Sequence, residues 1–278
     1  MGGFFAQIIM KIGETFFKNT DFIYYGIRKG KVKLETEASF VRAHPPELGK
    51  MLIKGDVDIA PASSIIYAKH FRQLYILPDF SISAKGETGS ILIFSEASEI
   101  EELSGKTIAT PATSASSVAL LEIILKEKGI DAEIVRGVEP DLEKMLSHYE
   151  AALLIGDDAL KEAYNKPELL LLDLGTAWYE LTGKKMVYAL WLLNSPEAGK
   201  IYNALNESRR YAKKNFDRVV EDLAEKASLP QEYLSAHLRK LEFNLNEDAL
   251  DGLEEYFILA EKHGIINEIP DLRFTEVL

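Results

Sequence analysis

The stretch DVDIAPASS, residues 56–64, carries the strongest indication of the fold. A short apolar run ends at a proline, and the hydroxyls of Ser63 and Ser64 follow where a helix is expected to begin. The same design recurs in KTIATPATSASS, residues 106–117, and in AALLIGDD, residues 151–158. Each time, a predicted strand delivers small polar groups to a helix N-terminus. The pattern favours an α/β protein with these groups gathered at one edge of a sheet.

That edge is where open α/β sheets bind ligands, and the free N–H groups of a helix start favour anions. The sequence therefore predicts a cleft for a small carboxylated molecule. Helix capping is the alternative explanation, but it uses only one hydroxyl per helix, and the first two of these segments carry two or three at the helix start. The candidate binding residues are Ser63, Ser64, Thr113, Ser116, Ser117, Gly156 and Asp157.

Composition narrows the class of protein and its partners. The chain has 278 residues, 47% of them hydrophobic, and its net charge of −12 repels polyanions, which argues against nucleic acid as a partner. The absence of cysteine excludes disulfides, thiolate metal sites and a cysteine nucleophile. The first residues lack a basic region and a cleavage site, and no apolar run reaches the roughly 20 residues of a membrane span. We therefore expect a cytoplasmic protein that does not enter the membrane.

Strand-like and helix-like segments alternate along most of the chain, which predicts mostly parallel sheets. An acidic stretch between residues 96 and 102 is followed by a fresh series of strands and helices, and after residue 193 only helical patterns remain. These changes predict two lobes with a ligand cleft between them. The predicted lobe 1 is discontinuous, residues 1–95 plus 190–278, and ends in a helical C-terminal block, whereas lobe 2 is residues 96–189.

Several motifs, taken together and in order, resemble the chorismate dehydratase family. They are GDVDIAPASSIIYA at 55–68, LPDFSISAKGETGSILIFS at 77–95, TSASSVALL at 113–121, AALLIGDDAL at 151–160 and DLGTAWYELTGKKMVYALW at 173–191. The resemblance implies a two-lobed fold like the type II periplasmic solute-binding proteins. It also implies a lyase that dehydrates chorismate to 3-[(1-carboxyvinyl)oxy]benzoate in the futalosine route to menaquinone. Such a reaction is driven by aromatisation, and we expect it to need neither a metal nor a redox cofactor.

The resemblance further assigns catalytic roles to Asn19 and Ser90, with Gly89 beside them in the cleft. The alternative for Asn19 is a cap on a helix beginning near Asp21, and the alternative for Ser90 is a strand-edge hydroxyl bonded to backbone. The Ser90 hydroxyl and backbone N–H are expected to hold a carboxylate or relay a proton. Thr20 and Asp21 depart from the family pattern, and a carboxylate near an anionic ligand is unexpected.

The pair Gly156 and Asp157 distinguishes the dehydratase family from a sister enzyme, 1,4-dihydroxy-6-naphthoate synthase. That enzyme is similar in fold but has a histidine in this region. Here the pair favours the dehydratase, although NTDFIYY at 19–25 resembles the first loop of the sister enzyme nearly as well. A histidine brought into the cleft from elsewhere would favour that enzyme. Asp157 as a plain helix cap is a further alternative. The histidines are His44, His70, His148, His237 and His263.

No residue stands out as a general base, and the substrate's own carboxylate is one hypothesis for that role. Arg42 is expected either to reach a carboxylate or to end a strand in solvent. Four aromatic residues are expected either to wall the cleft or to fill the core: Trp178, Tyr179, Tyr188 and Trp191. A non-catalytic binding protein of the same fold is the alternative from a different functional class.

Overall fold

Two β-sheets organise the part of the chain that the computed structural model describes, residues 9–112 and 115–277. In chain order the strands are β1 (Met10–Glu14), β2 (Ala38–Arg42), β3 (Ile59–Ser63), β4 (Tyr75–Ala84), β5 (Ile91–Ser95), β6 (Thr107–Thr110), β7 (Glu133–Arg136), β8 (Ala151–Ile155), β9 (Leu170–Asp173), β10 (Met186–Leu193) and β11 (Leu241–Glu242). One sheet has the order β11-β4-β10-β3-β1-β2, and the other has the order β7-β6-β8-β5-β9.

The α-helices flank these sheets and make up the end of the chain. They are α1 (Lys18–Arg28), α2 (Pro45–Lys54), α3 (Ser64–His70), α4 (Ala115–Lys128), α5 (Leu142–Leu146), α6 (Gly156–Asn165), α7 (Leu174–Thr182), α8 (Tyr202–Lys214), α9 (Phe216–Ala227), α10 (Gln231–Lys240) and α11 (Glu247–Lys262). Helices α8 to α11 form the predicted helical C-terminal block. Within the described ranges, no helix has the length and apolar character needed to cross a membrane.

Strand direction confirms the α/β pattern and adds a detail that alternation along the chain does not reveal. β1 pairs in parallel with β2 and β3, and β6 pairs in parallel with β7 and β8. The strands that interrupt this arrangement are β10, antiparallel to β3 and β4, and β5, antiparallel to β8 and β9. The five-stranded sheet therefore has one reversed strand, β5, and the six-stranded sheet has two, β10 and the edge strand β11, which is antiparallel to β4.

The chain passes from one sheet to the other between β4 and β5, and returns between β9 and β10. The predicted lobe boundaries at 95/96 and 189/190 lie a few residues beyond these points. Thus β5 belongs to the five-stranded sheet, and β10 begins in the six-stranded sheet at Met186. Since a run such as ILIFS, residues 91–95, is apolar throughout, its sequence does not tell which sheet it joins.

Apolar burial on both faces fixes the sheets. Ile12 and Ile59 of the paired strands β1 and β3 are fully buried, as is Trp191 of β10. The Trp191 indole N–H donates to the Tyr24 hydroxyl at 2.9 Å, so this strand is also tied to α1. Helix α2 ends at Gly55 in the left-handed region, with φ 76°. The strand-like sequence QIIMKIG, residues 7–13, begins at Gln7, which lies outside the described residues.

Candidate functional site

A cavity lies between the two sheets, at the edge where β1, β3, β6 and β8 end and the reversed strand β5 begins. It holds about 690 Å³ of empty space, counting the part that is continuous with solvent. Six predicted site residues line it together: Asn19, Ser63, Ser90, Ser116, Ser117 and Gly156. Ser64, Gly89 and Asp157 adjoin this lining without being part of it, and Thr113 lies outside the described residues.

Asn19 sits in the first turn of α1, immediately after the loop that follows β1. The capping alternative does not hold, because the helix begins at Lys18, its N-cap position is Phe17, and no side chain caps it. Among the described residues, the buried Oδ1 of Asn19 has no hydrogen-bond partner. Nearby, the Thr20 hydroxyl donates to the Phe17 carbonyl at 2.8 Å and also meets the Thr15 hydroxyl. The loop therefore places Asn19, whose amide oxygen has no partner among the described residues, in the cavity wall.

The serines at the starts of α3 and α4 bond to one another across the gap between the sheets. The Ser116 hydroxyl contacts the Ser63 hydroxyl, lies 3.0 Å from the Ser64 hydroxyl and accepts from the Ile65 N–H at 3.3 Å. Ser64 is fully buried, and its hydroxyl donates to the Val187 carbonyl at 2.6 Å. The surplus hydroxyls are thus partly used to join the two sheets, and Ser63, Ser116 and Ser117 remain on the cavity wall.

Ser90 follows a turn whose backbone N–H groups are hydrogen-bonded to a carboxylate. Asp173 accepts hydrogen bonds from the N–H groups of Thr88 at 2.9 Å and Gly89 at 2.7 Å. Burial raises the pKa of Asp173, and the hydrogen bonds from Gly89 and Gly175 oppose that rise. The expectation that the Ser90 backbone N–H is available to a ligand is wrong, because it donates to the Thr88 hydroxyl at 3.1 Å. The Ser90 side chain still lines the cavity.

Gly156 and Asp157 open α6 next to Ser90, because β8 is the neighbour of β5 in the sheet. The Gly156 N–H donates to the Ser90 carbonyl at 2.7 Å, which joins the residue after β8 to the residue before β5. Asp157 does not cap its own helix, since α6 has no side-chain cap. Its carboxylate lies instead 3.0 Å from the Lys18 ammonium, on the helix that carries Asn19.

The negative charge of Asp21, the unexpected carboxylate of the first loop, is balanced by two neighbouring cations. It pairs with Arg42, and its Oδ2 atom lies 3.7 Å from the Lys18 ammonium. Burial raises the pKa of Asp21, whereas the charges of Arg42 and Lys18 lower it. Arg42 is exposed at the end of β2, as one of its two predicted alternatives has it, and it also donates to the Thr15 carbonyl at 3.0 Å.

The aromatic candidates divide between core and site. Trp178 and Trp191 are fully buried core residues, and Tyr179 is exposed. Tyr188 is buried and lines the cavity. None of the lining residues that the structure describes is charged, and none is a histidine. His237 contacts a lining residue, since its Nδ1 lies 2.9 Å from the Thr88 carbonyl.

Two lining threonines, Thr15 and Thr88, were not identified from the sequence. Each has a recognisable signal in hindsight: Thr15 directly follows the first strand, and Thr88 lies two residues before Ser90 in the same glycine-rich turn. Together the lining supplies neutral donors and acceptors against apolar walls such as Ile82 and Ile155. Such a site suits a small molecule with an apolar ring and several oxygen substituents.

Comparison with known proteins agrees with this architecture. Residues 10–262 match the model of a family described as menaquinone biosynthesis. The chorismate dehydratase of Thermus thermophilus is 32% identical over 242 residues, which are 81% of this chain and 86% of that protein. A crystal structure of an Archaeoglobus fulgidus protein matches with a TM-score of 0.79 and 22% identity, over 92% of this chain and 98% of that one.

More distant matches share the fold alone. The periplasmic aliphatic sulphonate binding protein of Escherichia coli has a TM-score of 0.68 and 16% identity, over 97% of this chain and 93% of that one. Two sheets joined by crossing segments, with a cavity between them, place the chain in the class of proteins with the periplasmic binding protein fold. Within that class, the chain belongs to the menaquinone biosynthesis family.

Proposed function

We propose that this protein is a chorismate dehydratase, a lyase that converts chorismate to 3-[(1-carboxyvinyl)oxy]benzoate and water. The observation that carries the proposal is the 32% identity to the Thermus thermophilus chorismate dehydratase over most of both chains. The family match over residues 10–262 supports a place in menaquinone biosynthesis. A cytoplasmic location and the lobe boundaries remain predictions that accompany this proposal.

The reaction breaks a ring C–H bond and the neighbouring C–OH bond, forms a ring double bond and releases water. The protein has to hold the substrate, shield it from solvent and stabilise the departing hydroxyl. We assign the last task to Asn19 and Ser90, which line the same cavity. The Asn19 amide group has both a donor and an acceptor, and its buried Oδ1 has no partner among the described residues. The Nδ2–H of the amide is the group that can donate to the oxygen of the departing hydroxyl, which gains negative charge as the C–O bond breaks.

The binding of the two carboxylates is assigned to neutral groups. The candidates are Ser63, Ser116 and Ser117, at the starts of α3 and α4. No lining residue within the described part of the chain is a titratable carboxylate, histidine or lysine that could accept the ring proton. This supports the hypothesis that a carboxylate of the substrate itself acts as the base. Normal turnover of a chorismate analogue that lacks the side-chain carboxylate would contradict it.

The test is turnover of chorismate by the purified protein, followed by chromatography and mass spectrometry. We expect the aromatic ether to appear, and Asn19→Ala to lower kcat/KM by about 100-fold or more, as for loss of a donor to the departing group. Asn203→Ala, at an exposed position of α8, is the matched control and should retain activity. Chorismate that binds without turnover would instead indicate a binding protein, and chorismate that does not bind would contradict the assignment.

A further inference from the structure

Lys18 is a nearly buried cation at the edge of the cavity, with 11% of its side chain exposed. Its ammonium lies 3.0 Å from Asp157 Oδ2, 3.7 Å from Asp21 Oδ2 and 3.3 Å from the Phe16 carbonyl oxygen. Its backbone N–H also donates to Asp157 Oδ1, at 3.3 Å. Two different groups of one residue therefore bind the same carboxylate, which is an arrangement that fixes the position of Asp157.

This contact joins the two halves of the fold. Lys18 begins the helix that follows β1 of the six-stranded sheet, and Asp157 lies in the first turn of the helix that follows β8 of the five-stranded sheet. The two residues are 139 positions apart in the chain. Their neighbours Phe17 and Gly156 both line the cavity and also touch each other. The ion pair is consequently a contact across the cleft, placed next to the candidate catalytic residue Asn19.

The positive charge of Lys18 matters for the binding of a dicarboxylate. The described cavity lining has no charged residue, so the charges nearest to a bound ligand come from the positions beside that lining. Two of these, Asp21 and Asp157, are acidic and would repel an anion. Arg42 pairs with Asp21, which leaves Lys18 as the cation paired with Asp157 in the described structure. Without Lys18, an uncompensated carboxylate would stand beside the site.

We infer that Lys18 is a positioning residue for the proposed reaction: paired with Asp157, it cancels acidic charge beside the cavity that would otherwise repel the dicarboxylate substrate. The inference rests on the proposed function for the identity of the substrate. Lys18 acts through Asp157 and does not touch the substrate itself. Its effect belongs mainly to substrate binding, because the groups assigned to the departing hydroxyl, on Asn19 and Ser90, stay in place when its charge is removed.

The test is a double-variant cycle on the full chain with chorismate as substrate. Lys18→Met should raise KM by about tenfold or more, with a smaller change in kcat. Asp157→Asn should change KM little, because Lys18 keeps Asp21 as a partner. The double variant K18M/D157N should recover most of the KM lost in K18M, since it restores the charge balance. Arg72→Met, which removes an exposed ion pair with Glu268, is the control and should leave both constants unchanged.

The outcomes separate the two proposals. An unchanged KM in Lys18→Met overturns the inference, as does a double variant whose effects simply add. A lower KM in Asp157→Asn with no recovery in the double variant also overturns it, since Lys18 would then bind the substrate directly. If the wild-type protein neither converts nor binds chorismate, the proposed function fails by itself. The coupling of Lys18 to Asp157 is then still measured by the same cycle in urea unfolding, where additive effects contradict the cross-cleft contact.

Discussion

Gly156 is a residue at which the two sides of the site lie in close contact. Its φ of 59° lies in the left-handed region, and a Cβ at this position would stand 2.6 Å from the ring of Phe17. The glycine thus serves two purposes, since it permits the turn from β8 into α6 and lets the Phe17 ring lie against the backbone. A side chain of any size would push α1 away from α6.

This gives a prediction about stability with a built-in control. Gly129→Ala, at φ 70° with open space around it, should cost about 1 kcal/mol of unfolding free energy for the left-handed backbone alone. Gly156→Ala should cost a further 1 to 3 kcal/mol, roughly the cost of overpacking, because of Phe17. Urea unfolding of both variants measures the difference. Equal losses would show that Phe17 moves aside freely.

For single residues, the sequence predicted which side chains lie near the site better than it predicted what each side chain contacts. Ser63, Ser116 and Ser117 were predicted from helix starts, and they do line one cavity. Ser64 follows the same local pattern, yet its hydroxyl donates to Val187, which lies 123 residues away. The role of Lys18 was not predicted for the same reason, because Asp157 is distant in the chain. Local spacing indicates where a polar group is needed, whereas its partner is set by the tertiary fold.

At the scale of elements, α10 supports the turn that carries Ser90. His237 of this helix is buried, and its Nδ1 lies 2.9 Å from the Thr88 carbonyl, which identifies the nitrogen as the donor. Burial lowers the pKa of His237 from 6.5 to about 4, with Lys240 adding to the effect, while Thr88 and Asp157 oppose it. The contact of α10 with the turn before Ser90 is therefore made by a neutral imidazole.

The sign of the pH dependence follows from that shift. Between pH 6.5 and about 4 the unfolded chain binds a proton at His237 and the folded protein does not, so stability falls as the pH falls through this window. The loss should be on the order of 2 to 3 kcal/mol. His237→Gln should show a correspondingly flatter profile in urea unfolding measured from pH 7 to pH 4. Parallel profiles for the two proteins would mean that the imidazole is protonated in the folded state.

Elements were predicted well where their patterns are periodic. The alternation of strands and helices, and the helical end of the chain, follow from apolar spacing and from the breaks at proline and glycine. The reversed directions of β5 and β10 were not predicted, because an apolar strand looks the same in either direction. The two-residue strand β11 was not predicted either, since its pairing with β4 depends on tertiary contact.

For the whole molecule, Asp173 ties together the two segments by which the chain passes between the sheets. It ends β9 and caps α7 by accepting from Gly175 at 2.8 Å and Thr176 at 3.3 Å, on the return segment. It also accepts from the Thr88 hydroxyl and from the N–H groups of Thr88 and Gly89, on the outward segment. One carboxylate thereby couples the geometry of the turn before Ser90 to the second crossing.

Removal of this carboxylate should cost far more than removal of an ordinary cap. Asp141→Ala deletes the exposed cap of α5, which accepts from the Lys144 N–H, and should cost about 1 kcal/mol. Asp173→Ala leaves several buried N–H groups without an acceptor, and should cost about 2 to 4 kcal/mol.

Unfolding free energies of the two variants test this, together with kcat/KM for chorismate. Asp173→Ala should lower kcat/KM as well, because the turn that positions Ser90 loses its anchor, whereas Asp141→Ala should not. A loss of stability in Asp173→Ala no larger than in Asp141→Ala would show that the crossing segments hold their positions independently.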